Sequence, residues 1–248
     1  MPLEILYQDE HCVVINKPPG LLVHRSKIDV HARENAVSLL SRQIGQRVYT
    51  VHRLDRPTSG VLIFGLDAQA AHELTIQFGQ RTTSKHYLAI VRGWTDDSGV
   101  IDKPLKEHPD RITHPDADRD KLPQDAVTEF ETLDRCEIPH SMGRYPTSRY
   151  SLVRLHPLTG RRHQLRRHCK HISHPIIGDP KHGDHRHNTL LFETFHIERL
   201  LLAAIRLQIA HPATEQMLDI SSTPGAGFDA ATAALDLSLA PSREDEKK

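Results

Sequence analysis

The run Val51-His52-Arg53-Leu54-Asp55-Arg56-Pro57-Thr58-Ser59-Gly60 sets one carboxylate, Asp55, between two arginines, Arg53 and Arg56. Positive charge on both sides favours the ionised carboxylate, which can then act as a nucleophile or a base. The same residues also suit an ordinary ion-paired turn, and surface pairs of that kind contribute little. A second reactive-looking stretch runs from Arg161 to Ile172, Arg-Arg-His-Gln-Leu-Arg-Arg-His-Cys-Lys-His-Ile. There Leu165, Cys169 and Ile172 are spaced to share one helical face, with Arg162 and Arg166 one turn apart on the next. Such a helix either shows water a basic face or forms a ridge for phosphates with one arginine turned inward onto Asp55. Arg161, Arg167 and Lys170 add to its charge. A third residue, Tyr87, lies in the alternating run Lys85 to Gly93 and reads, from the residues alone, as sheet packing.

Several elements must position these groups. Val61 to Leu66 is an apolar run that reads as a strand buried on both faces. Pro57, Ser59 and Gly60 are turn residues, which predicts a loop up to that strand and puts Asp55 at its mouth. Leu3 to Tyr7 and Cys12 to Asn16 pair as a hairpin, and Lys17-Pro18-Pro19-Gly20 forces a turn. Glu34 to Ile44 has helical spacing with Gly45 as its stop, and Asp67 caps a helix running to Phe78. Lys85 to Gly93 is a strand with Leu88 and Ile90 on one face and Tyr87, Ala89 and Val91 on the other. Asp96 to Gln124 reads as irregular, His108 to Pro123 above all. Strands are expected at Ala126 to Leu133, Tyr150 to Leu155, Leu200 to Ile209 and Met217 to Ile220. Residues 1–222 form one catalytic domain on this reading, and 223–248 a weakly ordered tail of low helical content.

The string His52 to Gly60 followed by a buried strand resembles the signature of the RluA-type pseudouridine synthases. Asn16-Lys17-Pro18-Pro19-Gly20-Leu21-Leu22-Val23-His24, Lys85 to Gly93 and Thr159 to His168 resemble further motifs of that family. The resemblance implies an α+β pseudouridine synthase fold: a mixed, largely antiparallel sheet with flanking helices and a central cleft. It implies that Asp55 is catalytic, that Arg166 ion-pairs with it, and that Tyr87 stacks on the target uracil and helps relay its last proton. Leu165 would wall the uracil pocket, and Arg53 would hold the flipped nucleotide or fill the space it leaves. No metal and no organic cofactor are implied. Asp55 either attacks the ribose C1′ or removes the C2′ proton; the residues leave both open. Within the family, Gly45 to Val61, Ala89 to Trp94, Gly143 to Tyr150 and Ser173 to Asn188 most resemble the branch that modifies tRNA, at the uridine of position 65. A ribosomal RNA substrate, or an RNA-binding module without catalysis, are the rival readings. Two departures from family pattern lie near the C-terminus. Leu200-Leu201-Leu202-Ala203-Ala204 lacks an expected histidine, and His211 to Leu218 lacks an expected glycine.

The composition suits a soluble globular chain, with 38% hydrophobic and 26% charged residues among 248. Formal net charge is zero, so any RNA-binding surface must come from local clustering. Such clustering exists: from Arg144 to Lys181 the chain is rich in arginine and holds a single acid, Asp179. The three cysteines, Cys12, Cys136 and Cys169, form no CxxC and are expected to be free thiols. The N-terminus does not read as a signal peptide, and no apolar stretch reaches the roughly 18 residues of a membrane span. A cytoplasmic monomer with tRNA as its partner is the expectation. Nineteen histidines raise a metal reading, but no HExxH occurs. His163 and His168 would lie about 140° apart on a helix, and Pro175 ends the helix before His174 can join His168 and His171.

Overall fold

The computed structural model describes residues 2–24, 34–107 and 122–238. Among these described residues ten strands form one sheet around which five helices are arranged, an α+β architecture. The expected first hairpin is β1 (Glu4–Gln8) against β2 (Cys12–Lys17). Helix α1 (Ala36–Ile44) starts at Asn35, whose side chain and that of Ser38 cap each other's backbone, and stops at left-handed Gly45. A short β3 (Tyr49–Thr50) precedes β4 (Ser59–Gly65), all seven residues of which are buried. Asp67 caps α2 (Ala68–Gln80) by accepting the Ala70 N–H at 2.7 Å.

The chain then builds the second half of the sheet from β5 (Ser84–Arg92), β6 (Ser98–Asp102), β7 (Val127–Ile138) and β8 (Ser148–Pro157). Helices α3 (Gln164–His171) and α4 (His185–Phe195) follow, then the hairpin β9 (Leu202–Ala210) and β10 (Met217–Ser221), and finally α5 (Ala226–Ala234). The strand order is β1-β2-β4-β9-β5-β8-β7-β6, with β3 on β4 and β10 on β9. Every pairing is antiparallel except β4 with β9. That parallel contact joins the two halves of the sheet through only Ser59↔Ala203 and Gly60↔Ala204.

Close approach at this seam explains Gly60. Its φ is +110°, and a Cβ there would sit 2.0 Å from the Ala204 carbonyl oxygen. So Ser59 and Gly60, expected in a loop, are strand residues, and the loop ends at Thr58. The glycine is needed for strand contact rather than for a turn. Ala203, where the family pattern carries histidine, is fully buried beside Leu88 in the core.

Three further expectations change. Residues 98–102 form a strand that the polar composition of the region concealed; it pairs with β7, which extends past a bulge near Leu133. Helix α3 begins at Gln164, after left-handed His163, so Arg161 and Arg162 precede it and share no helical face with Arg166. The expected low helical content after residue 222 does not hold, since α5 spans Ala226–Ala234. Helix α5 seals the core with Phe228 and Ala231, and Leu235 and Leu237 follow it in. Most of the expected His108 to Pro123 loop lies outside the described residues. Among the described residues, no helix is long and apolar enough to cross a membrane.

Candidate active site

Asp55 lies where the chain turns into β4, and the Thr58 N–H closes that turn on the Asp55 carbonyl at 3.1 Å. Its carboxylate receives the Arg166 guanidinium: Nη1 donates to Oδ2 at 2.9 Å. The remaining guanidinium nitrogens are held from behind. Arg166 Nε and Nη2 donate to the two oxygens of Asp179, each at 2.7 Å. Arg166 is 4% exposed and the Asp179 side chain 0%. Burial alone would raise the Asp179 carboxyl, but Arg166 and the N–H groups of His182 and Lys181 outweigh it and hold it below its usual pKa. A planar fork that spans two carboxylates is a task for arginine and not for lysine.

The other face of Asp55 meets histidine. His163 Nε2 stands 3.8 Å from Asp55 Oδ1, and His163 Nδ1 lies 2.9 Å from His182 Nε2. The His182 backbone N–H donates to Asp179 Oδ1 at 2.9 Å. Asp55, Arg166, Asp179, His182 and His163 therefore form a chain of hydrogen bonds that returns to within 3.8 Å of Asp55. His163 reaches into it because its backbone is left-handed, with φ +54°. Burial, against the pull of Asp55, pushes the His163 imidazole down to about 4, and burial likewise lowers His182.

Tyr87 sits on β5 opposite Ala204 on one side and Leu155 on the other. It packs with Leu165, Ala89 and Val91. Burial first, and the Asp55 charge second, raise its phenol far above the ordinary value. The structure thus brings together Asp55, Tyr87, Arg166 and Leu165. Arg53 is exposed on the loop beside Asp55. Arg161 donates from Nε to the Asp125 carbonyl at 3.1 Å. Arg162 is exposed and Arg167 half-buried; none of these three replaces Arg166 at the carboxylate.

Sequence reasoning passed over four contributors. Asp179 was legible as the one acid in an arginine-rich stretch. From the sequence His163 reads only as a candidate metal ligand, and His182 as one more of the nineteen histidines. Lys17 looked like part of a turn, yet it is fully buried behind the loop. Its ammonium donates to the carbonyls of Pro18 and Leu21 at 2.9 Å and of Arg56 at 3.1 Å. Burial pulls it down to about 7 against the opposing charge of Asp55.

Comparison with known proteins fits this arrangement. Residues 11–171 match the family model described as RNA pseudouridylate synthase. The chain belongs to this family. Among curated members it is similar to a "tRNA pseudouridine synthase C" of Pasteurella multocida, 51% identical over 220 residues, which is 89% of this chain and 90% of that one. The protein of the same name from Vibrio cholerae is 50% identical over 218 residues, covering 88% and 89%. Among solved structures, human RNA pseudouridylate synthase domain containing 4 superposes with a TM-score of 0.71 at 29% identity, covering 95% of this chain and 94% of that one. Human RNA pseudouridylate synthase domain containing 1, at 24% identity and TM-score 0.68 over 96% of both chains, shares the fold.

Other histidines of this pseudouridylate synthase serve the scaffold. His168 is buried and contacts Thr128 Oγ1 at 3.0 Å and the Lys103 carbonyl at 3.1 Å. Asp9, Cys12 and His211 place ligand-type atoms within 4.8 Å of one another. Their hydrogen bonds are already committed. Asp9 accepts from Tyr7 Oη at 2.6 Å, from the N–H groups of His11 and Cys12 at 2.8 Å, and lies 2.7 Å from His211 Nε2. His211 Nδ1 accepts from the N–H groups of Ala213 and Thr214. The group ties the β1–β2 turn to the β9–β10 turn.

Proposed function

We propose that this chain isomerises a uridine of tRNA to pseudouridine, that the uridine is the one at position 65, and that Asp55 is the catalytic residue. The observation that carries the reading is a carboxylate gripped by a guanidinium which a second, fully buried carboxylate holds rigid. Such preorganisation suits a group that must meet a ribose carbon or its proton in one orientation. The tRNA substrate rests on the names of relatives about half identical over nearly nine-tenths of the chain.

On this reading the uridine leaves its stack, which costs a few kcal/mol, and Arg53 at the loop supports the extruded nucleotide. Asp55 attacks C1′ or removes the C2′ proton, and the glycosidic bond breaks. The freed uracil turns while stacked on Tyr87 and against Leu165, and its C5 bonds to C1′. Arg166 favours the charged carboxylate before and after. Arg161, Arg162 and Arg167 lie on or just before the α3 ridge, and we assign them to backbone phosphates. None of these steps requires a metal or organic cofactor. A cytoplasmic monomer is the working state.

The test is tritium release from 5-tritiated uridine in unmodified tRNA and, separately, in ribosomal RNA. Release from tRNA alone, abolished in Asp55→Asn while RNA binding persists, is the expected result. Release from ribosomal RNA instead would keep the chemistry and overturn the substrate. Turnover retained by Asp55→Asn would overturn the role of Asp55.

A further inference from the structure

The isomerisation has a by-product that needs a way out. Once C5 bonds to C1′, that carbon holds both a hydrogen and the ribose. Breaking C5–H returns its electron pair to the uracil ring and frees one proton for water. Tyr87 is a poor acceptor, because its buried phenol keeps its own proton. Among the described residues, the side chains paired with the Asp55 carboxylate are Arg166, a guanidinium with no lone pair to offer, and His163.

We propose that His163 and His182 form a proton relay that carries the C5 proton from Asp55 to water, an inference that rests on the pseudouridine reading above. Asp55 takes the proton on Oδ1 as C5–H breaks. It hands that proton to His163 Nε2; His163 passes its Nδ1 proton to His182 Nε2; His182 releases its Nδ1 proton to solvent. One proton enters and one leaves, and the two imidazoles exchange tautomers, which water resets after product departs.

Geometry supports each link. The imidazole–imidazole contact of 2.9 Å is a full hydrogen bond. The 3.8 Å gap to Asp55 is too long for one, but a single water or a small tilt closes it when substrate is bound. The two rings stand nearly perpendicular, with centroids 5.1 Å apart. His163 is only 16% exposed, whereas His182 is half-buried at the outer end. His163 faces Asp55, Arg166, His182 and Arg162; His182 faces Asp179, Arg166, Lys181 and Lys170. Burial first, and then the neighbouring cationic side chains, outweigh the pull of Asp55 and Asp179 and lower both rings, so lone pairs are free to receive.

The test uses His163→Gly and His182→Gln in single-turnover tritium release from tRNA. Glycine suits the left-handed backbone of position 163 and leaves room for a small ring. Glutamine keeps polar hydrogen-bonding atoms at 182 but cannot shuttle a proton. We expect His163→Gly to slow release about 10²-fold, the scale of a lost acid–base group, with tRNA affinity unchanged. Added imidazole should restore the rate, and pyrrole, of the same size but without a basic nitrogen, should not. His182→Gln should also be slow. Wild-type rates in either variant, or restoration of His163→Gly by both rings or by neither, would overturn the relay. A wild-type protein that releases no tritium from any RNA would instead sink the pseudouridine reading, and the relay with it.

Discussion

At the scale of the residue, Asp55 is defined by what stands behind it. Arg166 could reach a carboxylate in many proteins; here its two other nitrogens are fixed by Asp179 in a site closed to water. The pair has a sharp consequence. Asp179→Asn leaves a buried guanidinium without one of its two counter-charges, the fully buried one, a loss of about 3–5 kcal/mol. It also frees Arg166 to shift, and misplacement by about 1 Å costs on the order of 10²-fold in rate. Urea unfolding and single-turnover kinetics should both record the change. Arg166→Lys should be nearly as inactive, since an ammonium cannot span Asp55 and Asp179 together. Full turnover in Arg166→Lys would show that the fork geometry is dispensable.

At the scale of the element, the site depends on parts far from it in sequence. Asp55 comes from the loop before β4, Tyr87 from β5, Arg166 from α3 and Asp179 from the segment between α3 and α4. The seam of β4 with β9 brings the first two together, through Ser59, Gly60 and two alanines. Helix α5 contributes differently, by covering the core face that holds Leu88, Ile90 and Leu152. Phe228 on it is fully buried. Phe228→Ala should therefore destabilise the protein by about 3–5 kcal/mol while leaving turnover at permissive temperature unchanged. Thermal melts and the tritium assay check this; an unshifted melt would mean that α5 is not part of the core in solution.

At the scale of the whole molecule, zero net charge conceals a divided surface. Arginine gathers around α3, and one group of acids lies on and beside β6 and β7. The molecule is also tied end to end, because Asp9 in the first hairpin meets His211 in the last. Burial pushes the Asp9 carboxyl upward, but Tyr7, the N–H groups of Cys12 and His11, and His211 outweigh that and hold it well below its ordinary value. A carboxyl depressed by folding contributes its stability fully above its unfolded pKa, near 4, and loses it as pH falls further. Asp9→Asn should thus cost about 1–3 kcal/mol at pH 7, and the gap to wild type should narrow below about pH 4. Urea midpoints at pH 7 and pH 3 give the answer. A gap of constant size would show that the tie does not depend on charge.

The local strings around Asp55, Tyr87 and Arg166 were enough to indicate family, strand and helix types and the three residues at the centre. Apolar runs such as Val61 to Phe64, and caps such as Asp67 and Gly45, act over a few neighbours, so their meaning is local and readable. Other features were decided only by packing. Ser59 and Gly60 look like a turn, yet they are strand because β9 approaches within a distance that only glycine allows. The Ala-rich segment after Gly225 looks weakly ordered, yet it is helix because Phe228 and Leu235 find a core made elsewhere in the chain. His163 and His182 are separated by a helix and a turn, and nothing in their spacing foretells a contact. Burial and long-range contact set their charge state and their partners, and those are properties of the folded chain rather than of any stretch within it.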